Sequence, residues 1–167
     1  MSKSNDDKPT RRILILGGTA EARQLAGALL ANGVDVRSSL AGRTVTPMLP
    51  EGPVRVGGFG GIEGLADHLR HENITHLMDV THPFAAQISA NAVAAAKLTH
   101  VPLLRLERPA WVQPEGANWQ EVADLTAAAR TVPAGARVLL TVGRQGLAAF
   151  SGRSDSRFIA RVIDRPD

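Results

Sequence analysis

The 167 residues suffice for one ordinary domain, or for one domain and part of a second. Hydrophobic residues make up 44% and aromatics only 4%, so Ala, Val, Leu and Ile build whatever core forms. The absence of cysteine excludes disulfides, thiolate metal sites and thiol catalysis, and no run approaches the ~20 apolar residues of a membrane span. The formal charge is +3, and the excess lies in Arg137 to Asp167, where six Arg face three Asp. No basic run is interleaved with aromatics, so nucleic acid is not the expected partner. Arg forks bind carboxylates in bidentate fashion, which suits a small molecule carrying several of them, although a solvated Arg-rich surface gives the same count.

Residues 1–11 are polar, with no apolar stretch and no small-residue cleavage site, and read as a disordered lead-in to a cytoplasmic protein. Ile13 to Leu16 is a first, buried strand. Glu21 to Asn32 is a helix stopping at Gly33. Val34 to Leu40 and Val54 to Val56 are strands, and Ile62 to Glu72 is a helix with Leu65 and Leu69 one turn apart. Thr75 to Val80 is a strand, Ala85 to Leu98 a small-residue helix, and Pro102 to Leu106 a strand. This alternation predicts an α/β fold, a Rossmann-like parallel sheet with helices on both faces and ligands at the carboxyl edge of the strands. The domain so defined covers 12–107, and the Pro- and Gly-bearing stretch 108–116 is a linker.

A second Rossmann-like unit is expected over 117–167. It has a short strand at Trp119 to Val122, a helix at Asp124 to Arg130 and a strand at Val138 to Val142. A Gly143-Arg144-Gln145-Gly146 loop follows, then a short helix through Phe150 and a strand at Phe158 to Ile163. With about three strands its sheet reads as incomplete, with an open edge and a thin core.

The turn after the first strand, Gly17-Gly18-Thr19-Ala20-Glu21-Ala22, is the expected grip on a phosphate. The first turn of a helix leaves N–H groups unpaired and carries the positive end of the macrodipole. Gly17 and Ala22 occupy the first and third positions of the dinucleotide fingerprint G-x-G-x-x-G/A, and Thr19 holds the second. Plain turn chemistry explains the same glycines. The end of the second strand, Arg37-Ser38-Ser39-Leu40-Ala41-Gly42-Arg43, lacks the acid that holds a ribose 2′-hydroxyl in NAD-selective sites. Its hydroxyls and guanidiniums suit a 2′-phosphate, hence NADPH, with Ser38, Ser39 and Arg43 as the contacts; a solvated loop is the alternative.

Gly57, Gly58, Gly60 and Gly61 around Phe59 let the backbone approach a flat ligand, with Phe59 as a stacking face or else tucked into the core. In Thr81-His82-Pro83, Thr81 is placed to cap the next helix, and His82 faces the ligand edge as a hydrogen-bond or proton donor. His68, His71, His76 and His100 have no partner at catalytic or ligand spacing, and no metal site is expected. Gly143-Arg144-Gln145-Gly146 repeats the strand–loop–helix theme, with Arg144 directed at whatever the first unit holds.

Leu16 to Arg23, Ser38 to Arg43, Arg55 to Gly61, Thr81 to Ala85, Ile88 to Asn91, Arg105 to Trp111 and Gly143 to Gly146, in this order, resemble the precorrin-6A reductase family. The resemblance implies an NADPH-dependent oxidoreductase of cobalamin biosynthesis. Two Rossmann-like domains would hold a polycarboxylated tetrapyrrole, precorrin-6A, and reduce one of its ring carbon–carbon double bonds to give precorrin-6B. It places Gly17, Gly18, Thr19, Glu21, Ala22, Ser38, Ser39, Arg43, Gly57, Gly58, Thr81 and His82 at the cofactor. Phe59, Gly60, Arg144 and Gln145 would lie at the substrate, with Arg144 and His82 catalytic, bound water being the alternative proton donor to His82, and neighbouring corrin-pathway enzymes as partners. Family members carry a second domain comparable to the first, so a shortened reductase that binds nucleotide and turns over poorly is expected. The alternative is an impaired nucleotide-binding fragment or a regulatory module derived from one. A nucleotide-sugar or short-chain dehydrogenase is disfavoured because the chain has no Tyr for the Tyr–Lys pair of such enzymes.

Overall fold

The central strand β1 (Arg12–Leu16) is apolar on both faces, and that dictates layers above and below it. Ile13 and Ile15 meet Ala22 and Ala26 of helix α1 (Ala20–Ala31), together with Val36 and Val80. Leu14 and Leu16 meet Leu65, Ala66 and Leu69 of α2 (Ile62–His71) and Ala92, Ala95 and Ala96 of α3 (Ala86–Thr99). The structure is a computed structural model that describes residues 11–42 and 47–162.

Strands β1, β2 (Asp35–Leu40), β3 (Val54–Val56), β4 (His76–Asp79) and β5 (Leu103–Arg105) form one all-parallel sheet in the order β3-β2-β1-β4-β5. The expected parallel sheet with helices on both faces is what the chain adopts. Fully burying a Leu such as Leu65 or Leu77 is worth roughly 1.5–3 kcal/mol. The half-exposed ion pairs Arg12–Asp35 at 2.6 Å and Arg37–Glu72 at 2.7 Å contribute about 0–1 kcal/mol each. The apolar faces therefore decide the architecture. Helix α1 ends where Gly33, at a φ of +73°, donates its N–H to the Leu30 carbonyl, a left-handed conformation that favours glycine.

The chain divides into two compact units between Pro109 and Ala110. The second contains α4 (Leu125–Thr131), capped by the Asp124 carboxylate on the Ala127 N–H, then β6 (Arg137–Leu140), a 3₁₀ helix at Arg144–Phe150 and β7 (Arg157–Ala160). Strands β6 and β7 pair in parallel over a small core of Ala129, Leu140 and Phe150.

Two expectations are corrected here. Trp119 to Val122 is not a strand: both apolar ends are exposed, the residues between them are Gln120 and Glu121, and no strand among the described residues pairs with the segment. Gly143 to Gly146 is not a free loop before a helix, because the 3₁₀ helix begins at Arg144 and Gly146 is wedged within it. A Cβ on Gly146 would stand 2.8 Å from Leu125 and 2.9 Å from Val142.

Candidate functional site

In the order β3-β2-β1-β4-β5 the chain winds outward from β1 to β3, then returns to the other side of β1 with β4. The crevice between the carboxyl ends of β1 and β4 is thus the topological switch point, where open α/β sheets bind ligands. Gly17, Gly18 and Thr19 form its β1 wall. Gly17 donates to the Ser39 carbonyl at 2.9 Å, and a Cβ there would lie 3.2 Å from that of the buried Ala22, so small residues at both positions let the turn close onto α1. Gly18 has a φ of +113° and open space where a side chain would stand, a cradle left clear beside the helix N-terminus. Thr19 caps α1 by accepting from the Ala22 N–H at 3.1 Å, and its hydroxyl donates to the Val80 carbonyl at 2.8 Å, tying the two walls together.

The β4 wall is fixed by a buried carboxylate. Asp79 is 2% exposed, and its Oδ1 accepts from the Thr81 N–H at 3.1 Å and the Thr81 hydroxyl at 2.6 Å. Thr81 also lies 3.4 Å from the Ser89 hydroxyl. Thr81 therefore does not cap α3 as expected: its side chain is committed to Asp79, the helix starts at Ala86, and its cap residue Ala85 offers no side-chain bond. His82 is exposed, with Nδ1 accepting from the Phe84 N–H at 3.2 Å and its ring 5.1 Å from the Phe84 ring. In the neutral imidazole that bond leaves the proton on Nε2. Thr19, Glu21 and Thr81 line one pocket with Arg108, which pairs with Glu21 at 3.0 Å. The Glu21 carboxyl is held below its ordinary value by a hydrogen bond with its own backbone and then by Arg108.

Of the three residues expected at a 2′-phosphate, the structure describes Ser38 and Ser39. Adjacent residues on a strand face opposite sides, so Ser38 sits opposite Ile15 on the α1 face and Ser39 opposite Leu16 on the other, both buried. The Ser38 hydroxyl has no partner among the described residues. Arg37 bonds Glu72, the residue after the far end of α2, and is drawn away from the ligand edge. Arg43 lies outside the described residues.

At the end of β3, Gly57, Gly58 and Gly60 sit in a loop shaped by Arg55, which the sequence reading missed. Its guanidinium donates to the Gly57 carbonyl and to that of Gly58 at 2.7 Å, and lies 4.2 Å from the centroid of the Phe59 ring. Phe59 is half-buried, packs against the α2–α3 core and stands 5.1 Å from His68, so it is tucked in, the alternative left open above. Arg144 belongs to the second unit, exposed at the start of the 3₁₀ helix; the side chain of Gln145, beside it, lies outside the description. Among the described residues no cluster of His, Cys, Asp and Glu could hold a metal ion, and no helix is long and apolar enough to cross a membrane.

A parallel sheet with a glycine turn entering a capped helix at its switch point defines the doubly wound α/β class. Residues 12–167 match the family model described as precorrin-6x reductase CbiJ/CobK, and the chain belongs to that family. It is 51% identical over 158 residues to the precorrin-6A reductase of Rhodococcus erythropolis, covering 93% of this chain and 64% of that protein. To the precorrin-6A reductase of Rhodobacter capsulatus it is 46% identical, covering 93% and 62%. The solved structure of CobK precorrin-6A reductase superposes with a TM-score of 0.90 at 45% identity, over 94% of this chain and 63% of that one. The chain thus spans a little under two thirds of the length of the relatives it matches.

Proposed function

We propose that this chain binds NADPH at the β1–β4 switch point and takes part in reducing a ring carbon–carbon double bond of precorrin-6A, giving precorrin-6B. The observation that carries the reading is the Gly17-Gly18-Thr19 turn. It presents a clear, side-chain-free approach to the N-terminus of α1, at the crevice where such sheets bind dinucleotides. The relatives named above carry the activity in their names.

The residues fit a dinucleotide. Gly17, Gly18 and Thr19 would take its pyrophosphate, and Thr81, held by Asp79, would present the opposite wall. Gly57 and Gly58 would let the backbone approach at the β3 end. The absence of an acid at the end of β2 supports NADPH over NADH. When bound, a reduced nicotinamide supplies a hydride. His82 would give the accompanying proton to the neighbouring carbon as the imidazolium, with its Nδ1 released from the Phe84 N–H. Arg144 would meet substrate carboxylates, whose charge a guanidinium fork neutralises.

Titration with NADPH and NADH tests the cofactor, and the absorbance of supplied precorrin-6A tests the reaction. Preferential NADPH binding with spectral conversion of precorrin-6A is expected. Binding of neither nucleotide overturns the reading, and nucleotide binding without any conversion assigns a nucleotide-binding module instead.

A further inference from the structure

Arg108 stands beside the N-terminus of α1, 87 residues away in sequence from the Glu21 it contacts. The segment carrying it is anchored, because the Leu106 N–H donates to the Asp79 carbonyl at 2.9 Å and closes the last β4–β5 pair, Asp79 with Arg105. Pro109 follows and stiffens the chain. Arg108, Glu21, Thr19, Thr81 and Leu106 line the same pocket at the switch point. Of the five N–H donors of the guanidinium, one is committed to Glu21 Oε2 at 3.0 Å among the described residues.

We propose that Arg108 is a further cofactor-binding residue, whose free donors take a phosphate of the dinucleotide seated at α1, with Glu21 as the residue that positions it. The proposal rests on the nucleotide reading above. Glu21 has two effects there. It restrains a long, rotamer-rich side chain over the crevice, and it puts a negative charge where an anion must bind. Arg108 masks that charge. Removing Arg108 therefore deletes a donor and exposes a repulsive carboxylate together, so the two residues must couple.

The coupling is read by titrating the full chain with NADPH at several salt concentrations. Arg108→Gln should weaken binding roughly 10- to 100-fold, the scale of a charge-assisted contact, and flatten the salt dependence. Arg108→Lys, which keeps the charge, should lose no more than about 5-fold. Glu21→Gln in the Arg108→Gln background should recover part of the loss, whereas Glu21→Gln alone should not tighten binding. Unchanged NADPH affinity in Arg108→Gln, or strict additivity in the double variant, overturns the proposal while leaving the nucleotide reading intact. Unchanged NADPH affinity with a raised KM for precorrin-6A also overturns it, assigning Arg108 to a substrate carboxylate. Failure of the unaltered chain to bind nucleotide overturns both.

Discussion

The Thr19 hydroxyl donates to the Val80 carbonyl at 2.8 Å while accepting from the Ala22 N–H at 3.1 Å, so one side chain caps α1 and spans the crevice between β1 and β4. Thr19→Val preserves the shape and removes both bonds. It should cost about 1–2 kcal/mol of stability in urea denaturation, the usual scale for a lost helix cap. Thr19→Ser should restore most of it. A valine variant as stable as the parent would show that the bridge contributes nothing.

Gly18 needs its glycine for conformation and not for packing, since its φ is +113° and a Cβ would meet nothing within 4 Å. Gly18→Val should strain the backbone by about 1–3 kcal/mol and block the approach to the helix N-terminus. The expected result is a chain that folds, by circular dichroism, yet shows no NADPH binding. Retained affinity would remove the phosphate turn from the site.

Gly64 is the opposite case. It lies inside α2 with an ordinary backbone, but a Cβ on it would overlap the Phe59 carbonyl. Gly64→Ala must push the Gly57–Gly61 loop away, at a cost of about 1–3 kcal/mol or more. A drop in thermal midpoint with faster proteolysis near Phe59 is the outcome to look for. Unchanged stability would mean that the loop yields freely.

His68 supplies a pH dependence whose sign follows from its surroundings. Burial beside Phe59, and then the charge of Arg55, hold its imidazole below the ordinary value. The unfolded chain gains a proton near pH 6.5 and the folded chain only at lower pH, so folding stability should fall as pH drops through about 6.5. Glu21 and Asp155, both held below the ordinary carboxyl value, lose their stabilisation in the same direction but in a more acidic window. Denaturant midpoints between pH 7 and 5.5 separate the two. His68→Phe should flatten that range, and an unaltered slope would assign it to other groups.

The second unit has a core of three buried side chains among the described residues, against ten and six in the two clusters of the first. Fewer buried contacts mean cheaper local opening. Amide protons of Leu139 and Leu140 should therefore exchange at least ~100-fold faster than those of Leu14 and Ile15 in native-state hydrogen exchange, a gap of about 2.7 kcal/mol or more. Equal protection would show that the second unit draws support from elsewhere.

The first five strands and three helices were legible because local signals agreed: a short apolar run, a glycine turn, then helical spacing. Gly17-Gly18-Thr19 reads as a phosphate turn for the same reason. Its bridging role was missed, because the Thr19 bond to Val80 spans 61 residues and has no local signature. Arg108 was missed likewise, since only the fold brings it to Glu21. Ser38 and Ser39 show what a sequence does not display about direction. Adjacent hydroxyls suggest a shared ligand, but the pleat of β2 sends them to opposite faces. Trp119 to Val122 failed because two apolar residues flanking a polar pair do not bury a face.

Strand β1, apolar on both sides, could slide by one residue against its neighbours and still bury Ile or Leu everywhere, so hydrophobicity alone does not fix its register. Arg12 does. Its guanidinium is held by Asp35 at 2.6 Å and the Glu72 carbonyl at 2.9 Å, and its N–H by Thr75 at 2.9 Å. A slip of one residue would break all three bonds at once. The polar anchor at one edge of the sheet thereby sets the height at which Gly17 and Gly18 emerge at the other. A substitution at Arg12, a full strand away from the crevice, would blur the placement of the phosphate turn without touching any residue that lines it.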